Sequence, residues 1–144
     1  MGLAAPTPTS DLTRGHRTAG RLLVVEAVLL AASMPVQLVT LMGQLWESRD
    51  HAMLHRMVTG VLPLEVAALV TGIIAACAGA AVLRQRKDAF ALTVTTVVLA
   101  LLQSAGWAVV LRGHLAEPTF AVAWLVTLLP PPLALVLLVR ARGT

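Results

Sequence analysis

The sequence predicts an all-α membrane protein, a four-transmembrane-helix bundle with up-down-up-down topology and both termini in the cytoplasm. Of its 144 residues, 58% are hydrophobic, and the mean hydropathy is +0.83, whereas soluble domains average roughly 45–50% apolar residues. The charged residues make up only 12% of the chain and fall in short clusters. Four apolar runs separate these clusters, and each reaches the roughly 20 residues that a spanning helix needs. The cations also alternate in number from one loop to the next.

The four predicted spans are 22–46, 57–83, 90–111 and 119–139, and residues 21–144 form a single transmembrane domain. Residues 1–20 are predicted to be a flexible cytoplasmic segment, because its beginning is rich in Pro, Thr and Ala. A cleaved signal peptide is the alternative interpretation of the first span. Glu26 interrupts that apolar stretch, and the run continues well past the small residues at 31–33, so a retained helix is favoured.

The distribution of cations predicts the orientation. Eight of the 11 Lys and Arg residues flank the first span on its amino-terminal side, lie between spans two and three, or follow span four. These are Arg14, Arg17, Arg21, Arg84, Arg86, Lys87, Arg140 and Arg142. By the positive-inside rule, both termini and the central loop are cytoplasmic. The net charge of +4 is therefore a topology signal in a multi-pass protein of the cell membrane, and we expect the lipid bilayer rather than nucleic acid as its partner.

The tryptophans agree with this orientation. Trp46 ends the first span, Trp107 lies late in the third, and Trp124 lies early in the fourth. All three therefore fall at the outer interface, where tryptophan is enriched in membrane proteins.

Small residues in the second span predict close helix packing. Gly72, Ala76 and Ala80 recur at every fourth position, and Ala75 and Gly79 form a parallel row beside them. Such spacing lets helix backbones approach closely in lipid.

Prolines are expected to interrupt three of the spans. Pro35 lies within the first span, Pro63 lies early in the second, and three consecutive prolines occupy 130–132 in the fourth. Since proline has no backbone N–H, the run at 130–132 predicts a break in the fourth helix. A broken helix lines the binding site in some transporters, and a kinked structural helix is the alternative.

Three polar side chains fall inside the spans. Glu65 lies at a depth of about 10 Å inside the second span, measured from its outer edge at 1.5 Å per residue. An intramembrane carboxylate is a functional candidate by default. Gln103 shares a face with Trp107 and is expected to form an interhelical hydrogen bond or to contact a ligand. Glu26 lies near the cytoplasmic edge, where we expect it to reach the headgroups or to pair with Arg21.

The first outer loop contains a histidine pattern. If residues 47–58 are helical, then Glu47, His51 and His55 lie four residues apart on one face, a spacing that can hold a metal ion. His114, in the third loop, could approach the same site. Solvated interfacial histidines are the alternative interpretation.

The pair His55 and Arg56 opens the second span, Gly60 follows soon after, and Gln103 lies in the third span. In these residues the chain resembles haem A synthase and related b-type haem proteins with four-helix membrane bundles. The resemblance implies that His55 ligates the iron of haem b and that Arg56 pairs with a propionate. Ala52 stands where the synthase pattern has a glutamate, which puts synthase activity in doubt.

The same resemblance leaves the second axial ligand open. His-Pro begins the fourth helix of the related small proteins, whereas Glu117 and Pro118 stand here. His114 would then be the second ligand, and Arg112 would offset propionate charge.

The sequence therefore leaves three alternative functions. The first is a non-catalytic membrane subunit or accessory protein that assembles with other membrane subunits or as a dimer. The second is a haem-binding redox protein using His55. The third is a small ion-coupled transporter using Glu65. The sequence shows no partnered nucleophile, phosphate-binding loop or paired catalytic carboxylates, so an enzyme is not favoured.

Overall fold

A computed structural model of the chain describes residues 8–48, 51–110 and 127–142. The described residues form helices and contain no strand, which confirms the predicted all-α class. In chain order the elements are α1 (Pro8–Ser48), α2 (His51–Arg56), a π-helical segment (Met57–Val61), α3 (Leu62–Leu83), α4 (Ala89–Val110) and α5 (Pro130–Arg142).

Two helical stretches are long and apolar enough to cross a membrane, judged by length and composition. They are Val58–Leu83 and Ala89–Val110, which closely match the predicted second and third spans. The predicted first span, 22–46, lies within α1. The apolar part of α5, Pro130–Ala141, is shorter, and the beginning of the predicted fourth span lies outside the described residues.

The segment 1–20, predicted to be flexible, is helical from Pro8 onwards. α1 begins there, and Ala19 and Gly20 are buried. A β-carbon built on Gly15 would lie 3.8 Å from the β-carbon of Ala141. The helix extends past the predicted span because α3 and α5 supply packing partners, and such tertiary contacts outweigh weak local propensity.

The helices pack side by side in antiparallel neighbouring pairs. α1 packs against α3 and α5, and α4 packs against the same two helices. In the α1–α3 pair, a β-carbon on Gly20 would lie 2.7 Å from the Leu83 side chain, whereas one on Gly72 would lie 3.4 Å from Leu30. Early residues of α1 therefore face late residues of α3. We call the side-chain faces along which these four helices meet the helix core.

The small residues of α3 divide between two faces. Gly72, Ala75 and Gly79 are buried, whereas Ala76 and Ala80 are exposed. The predicted close packing is therefore confirmed for the row that contains Gly79, and it is wrong for the positions 76 and 80. Gly72, Ala75 and Gly79 pack because alternating spacings of three and four residues keep them on one face of the helix.

A short turn reverses the chain between α3 and α4. The Arg86 N–H donates to the Ala81 carbonyl at 2.9 Å, and the Gln85 N–H donates to the Val82 carbonyl at 3.1 Å. This pair of bonds is the Schellman motif, which satisfies carbonyls at the end of a helix. Gln85 adopts the left-handed conformation that the motif requires, with φ 53°.

Prolines shape two helix boundaries. Pro63 cannot donate a hydrogen bond to the Thr59 carbonyl, and the residues before it widen into the π-helical segment. The predicted interruption of the fourth helix is present: residues 127 and 128 are helical, Leu129 is not, and α5 begins at Pro130. The prolines at 130–132 therefore occupy the first turn of α5, where the missing donors cost little.

Candidate functional site

The helix core contains acidic side chains as well as apolar ones. Glu26 and Glu65 are each 1% exposed, as buried as the alanines and leucines around them. Three threonines, Thr71, Thr93 and Thr96, are buried in the same core. Buried carboxyl groups are rare unless they are paired or functional, so the two glutamates form the candidate site.

Glu65 lies on the packing face of α3. It begins a buried series that continues through Ala68, Gly72, Ala75 and Gly79 at alternating spacings of three and four residues. That spacing keeps residues on one face of an α-helix. Both carboxylate oxygens, Oε1 and Oε2, are buried without a hydrogen-bond partner. The sequence therefore places an unsatisfied acid where the packing pattern calls for an apolar residue.

Glu26 likewise lies on the packing face of its own helix, α1. The buried residues of that helix include Ala19, Leu23, Glu26 and Leu30, which again share one face. Its Oε2 atom is buried without a hydrogen-bond partner. The expectation that Glu26 reaches the headgroups or pairs with Arg21 is wrong, because position 26 faces the helix core while Arg21 is exposed.

The two glutamates lie at different levels of the core. In the α1–α3 contact, β-carbons built on Gly79 and Gly72 would lie 2.9 Å from Val24 and 3.6 Å from the Ala27 carbonyl respectively. Glu26 lies between Val24 and Ala27 and is therefore level with residues 72–79 of α3. Because Glu65 precedes Gly72 by seven positions, the levels differ by at least about 10 Å at 1.5 Å per residue.

The buried threonines use their hydroxyl hydrogens within their own helices. Thr71 donates to the Ala67 carbonyl at 2.8 Å. Thr93 and Thr96 donate to carbonyls four residues earlier in α4, at 2.8 and 2.9 Å. A hydroxyl oxygen that donates in this way keeps lone pairs that can accept a further hydrogen bond. These three hydroxyls are therefore acceptors within the helix core and not free donors.

Gln103 and Trp107 lie further along α4, on the same face as Thr96. Gln103 follows Thr96 by seven residues, Trp107 follows Gln103 by four, and both side chains are half-buried. Nearby, a β-carbon on Gly106 would lie 2.5 Å from Leu64, the residue before Glu65. This contact brings the carboxyl-terminal part of α4 to the level of Glu65.

Basic residues gather at one end of the helices. The contacts of Gly15 with Ala141 and of Gly20 with Leu83 place the start of α1, the α3–α4 turn and the end of α5 together. We call this the cationic end; its exposed basic residues are Arg14, Arg17, Arg21, Arg84, Arg86, Lys87 and Arg140. Within it, Arg86 Nη2 lies 3.1 Å from Asp88 Oδ2. Glu26 is the buried glutamate nearer this end.

The histidines of the first outer loop lie apart from the helix core. His51 and His55 belong to α2, and both are exposed. The side chains of Glu47 and Arg56 lie outside what the structure describes, as do Arg112 and His114 entirely. In the described part of the chain, no three His, Cys, Asp or Glu side chains come close enough to hold a metal ion. The haem and metal sites therefore stay predictions.

The sequence did not single out the buried hydroxyls of Thr71 and Thr93, and the position predicted for Glu26 differs from the observed one. The heptad-like spacing of Glu26 with Ala19, Leu23 and Leu30 was present in the sequence and predicts the core position. The depth of Glu26 in the first span alone favours the headgroup interpretation, and the helical spacing outweighs it.

Comparison of the chain with protein-family models, curated proteins and solved structures found no match. The resemblance to haem A synthase therefore gains no support, and the geometry of the helix core is what points to a function.

Proposed function

We propose that the chain is a four-span protein of the cell membrane, an up-down-up-down bundle with cytoplasmic termini, and that it moves a cation across the membrane through Glu65. Two stretches with the length and composition of membrane spans support the location. The antiparallel contacts among α1, α3, α4 and α5 support the bundle. The grouping of the basic residues at the cationic end supports the orientation, because the positive-inside rule assigns such an end to the cytoplasm.

Glu65 carries the functional proposal. Its side chain is 1% exposed, and neither carboxylate oxygen has a hydrogen-bond partner. Leaving a buried polar group unsatisfied costs about 1–3 kcal/mol, and more when the group is charged. A protein that only had to fold would be more stable with an apolar residue at this position. The unsatisfied acid is accounted for when a cation binds it during transport, as acids inside spans do in pumps and transporters.

A flux measurement tests this proposal. The purified protein is reconstituted in liposomes, a membrane potential is imposed, and entry of H⁺, Na⁺ and K⁺ is followed with separate fluorescent indicators. We expect flux of one of these cations that falls to the rate of protein-free liposomes in Glu65→Gln. The matched control is Val66→Leu, next to Glu65 on the exposed face, which should leave the flux unchanged. Equal flux in Glu65→Gln and in the unsubstituted protein would refute the proposal.

A second candidate function is that of a membrane subunit that assembles through α3. Ala76 and Ala80, which form a small-residue row suited to close helix packing, are exposed, and Cys77 lies exposed beside them. The test is oxidative crosslinking of the unsubstituted protein in membranes. Assembly of two copies through this face predicts a covalent dimer through Cys77 that Ala76→Leu reduces. A monomer under both conditions would count against self-assembly through α3.

A further inference from the structure

We propose that the transported cation is the proton, and that Glu26 and Glu65 are two separate protonation sites used one after the other. Glu26 serves the cationic end and Glu65 serves the opposite end. This inference rests on the proposed function and deepens it by naming the ion and a second residue.

The spacing of the two carboxyl groups excludes a shared ion. Their levels differ by at least about 10 Å, since Glu26 is level with residues 72–79 and Glu65 precedes them. In an α-helix the Cα–Cβ bond tilts toward the amino terminus. Because α1 and α3 are antiparallel, the two side chains leave their backbones in opposite directions. Each acid must therefore bind its own ion.

A single carboxyl group is a sufficient site for a proton but a poor one for a metal ion. A proton forms one O–H bond to one carboxylate oxygen. Calcium takes 6–8 oxygen ligands and magnesium requires near-octahedral coordination. The buried threonine hydroxyls of the helix core already donate to backbone carbonyls of their own helices. The described residues also contain no group of three potential metal ligands.

Thr71 lies between the levels of the two acids on α3. It is buried, and its oxygen keeps a lone pair while its hydrogen bonds the Ala67 carbonyl. Transfer breaks the O–H bond on the first acid as an O–H bond forms on an entering water molecule or on the Thr71 oxygen. That acceptor releases another of its hydrogens, for Thr71 the one bonded to the Ala67 carbonyl, and this hydrogen forms the O–H bond on the second acid. The proton leaves the second acid for water at the far end. No oxidant or reductant is needed, because only protons change position.

Other charged groups stay away from this route. Among the residues whose burial the structure describes, the helices packed around the acids carry basic residues, and the α3–α4 turn carries Asp88, only at exposed positions of the cationic end. His16 is half-buried in α1, ten residues before Glu26. His51 and His55 are exposed on α2, beyond Glu65. The two glutamates are therefore the ionisable groups in the described core of α1, α3, α4 and α5.

The first test labels the unsubstituted protein and so does not depend on a variant that folds. Dicyclohexylcarbodiimide partitions into lipid and adds to protonated carboxyl groups: the carboxyl oxygen bonds to the carbodiimide carbon, and the proton moves to nitrogen. We expect peptide mass mapping of the protein in liposomes to find adducts on both Glu26 and Glu65 and none on exposed Asp88. Excess Na⁺ or K⁺ should not reduce the labelling. Protection by either metal ion, or labelling of Glu65 alone, would overturn the inference.

The second test separates this inference from the proposed function. Proton entry into liposomes is measured for the unsubstituted protein, Glu26→Gln, Glu26→Asp and Glu65→Gln, after a circular-dichroism melt confirms that each is folded. We expect Glu26→Gln to reduce proton flux to the protein-free rate and Glu26→Asp to retain part of it. If Glu65→Gln stops the flux but Glu26→Gln does not, the proposed function stands and the second site is refuted. If the protein carries Na⁺ or K⁺ instead, only the choice of the proton fails.

Discussion

Glu65 sets function against stability at the scale of a single residue. Its buried oxygens lack hydrogen-bond partners, so replacing the carboxyl with an apolar group of similar size removes a desolvation cost. We expect Glu65→Leu to raise the free energy of unfolding by about 1–3 kcal/mol while it abolishes ion flux. Denaturation of the purified protein in mild detergent measures the first effect, with Val66→Leu as the control. A less stable Glu65→Leu would mean that the acid has a structural partner.

His55 provides a second prediction at this scale. A haem held inside the bundle needs an axial histidine on the core face, whereas His55 is exposed on α2. We therefore expect the protein, expressed with haem precursor, to lack a Soret band in oxidised and reduced spectra. A Soret band that shifts in His55→Ala, with His51→Ala as the control, would support the haem hypothesis and assign its ligand.

At the scale of helices, Gly79 fixes how closely α1 and α3 approach. A β-carbon at this position would lie 3.0 Å from the Gly20 carbonyl and 2.9 Å from Val24. Since a backbone carbonyl cannot move aside cheaply, we expect Gly79→Ala to lower the free energy of unfolding by about 1–3 kcal/mol. Gly43→Ala is the matched control, because a β-carbon there meets nothing within 4 Å. Equal melting temperatures for the two variants would contradict this close contact.

In the turn between α3 and α4, glycine at position 85 is expected to make the protein more stable than Gln85 does. Gln85 has φ 53°, and the left-handed region costs a residue with a β-carbon roughly 1–2 kcal/mol. Glycine avoids that cost but gains freedom in the unfolded chain, so we expect Gln85→Gly to stabilise the protein by about 0.5–1 kcal/mol. A thermal melt measures this. The control is Arg84→Gly, whose φ of −90° brings no such relief, and it should be neutral or destabilising.

The helices illustrate what the sequence could and could not predict. Apolar length was enough to locate α3 and α4 closely, because a spanning stretch must be continuous. It was not enough to find the beginning of α1, where Ala19 and Gly20 are buried because α3 and α5 pack on this helix. The same limit applied to the small residues: both rows have suitable spacing, and only the position of α1 decides that Gly79 is buried and Ala80 is exposed.

For the molecule as a whole, the candidate site was half predictable. Glu65 stands out in the sequence because an acid deep in an apolar run is rare. Recognising Glu26 as a second buried acid at another level of the core required the antiparallel register of α1 and α3. That register comes from contacts such as that of Gly72 with Leu30. The haem and metal predictions relied on local spacing in the outer loops, which does not determine whether a side chain such as His55 faces the core.

Orientation in the membrane is a property of the whole chain, and it determines the direction of the proposed proton route. The cationic end groups basic residues from α1, the α3–α4 turn and α5, and the proposed orientation, which follows the positive-inside rule, places this end in the cytoplasm. Cys77 is the only cysteine. We therefore expect single cysteines introduced at exposed positions of a Cys77→Ala protein to react from opposite sides. Lys87→Cys should react with an impermeant maleimide only in inverted vesicles, and His51→Cys only in intact cells.

The Cys77→Ala protein without a new cysteine is the control for background labelling. The reverse pattern would place Glu26 in the outer half, and reaction of both cysteines from one side would refute a membrane-spanning α3.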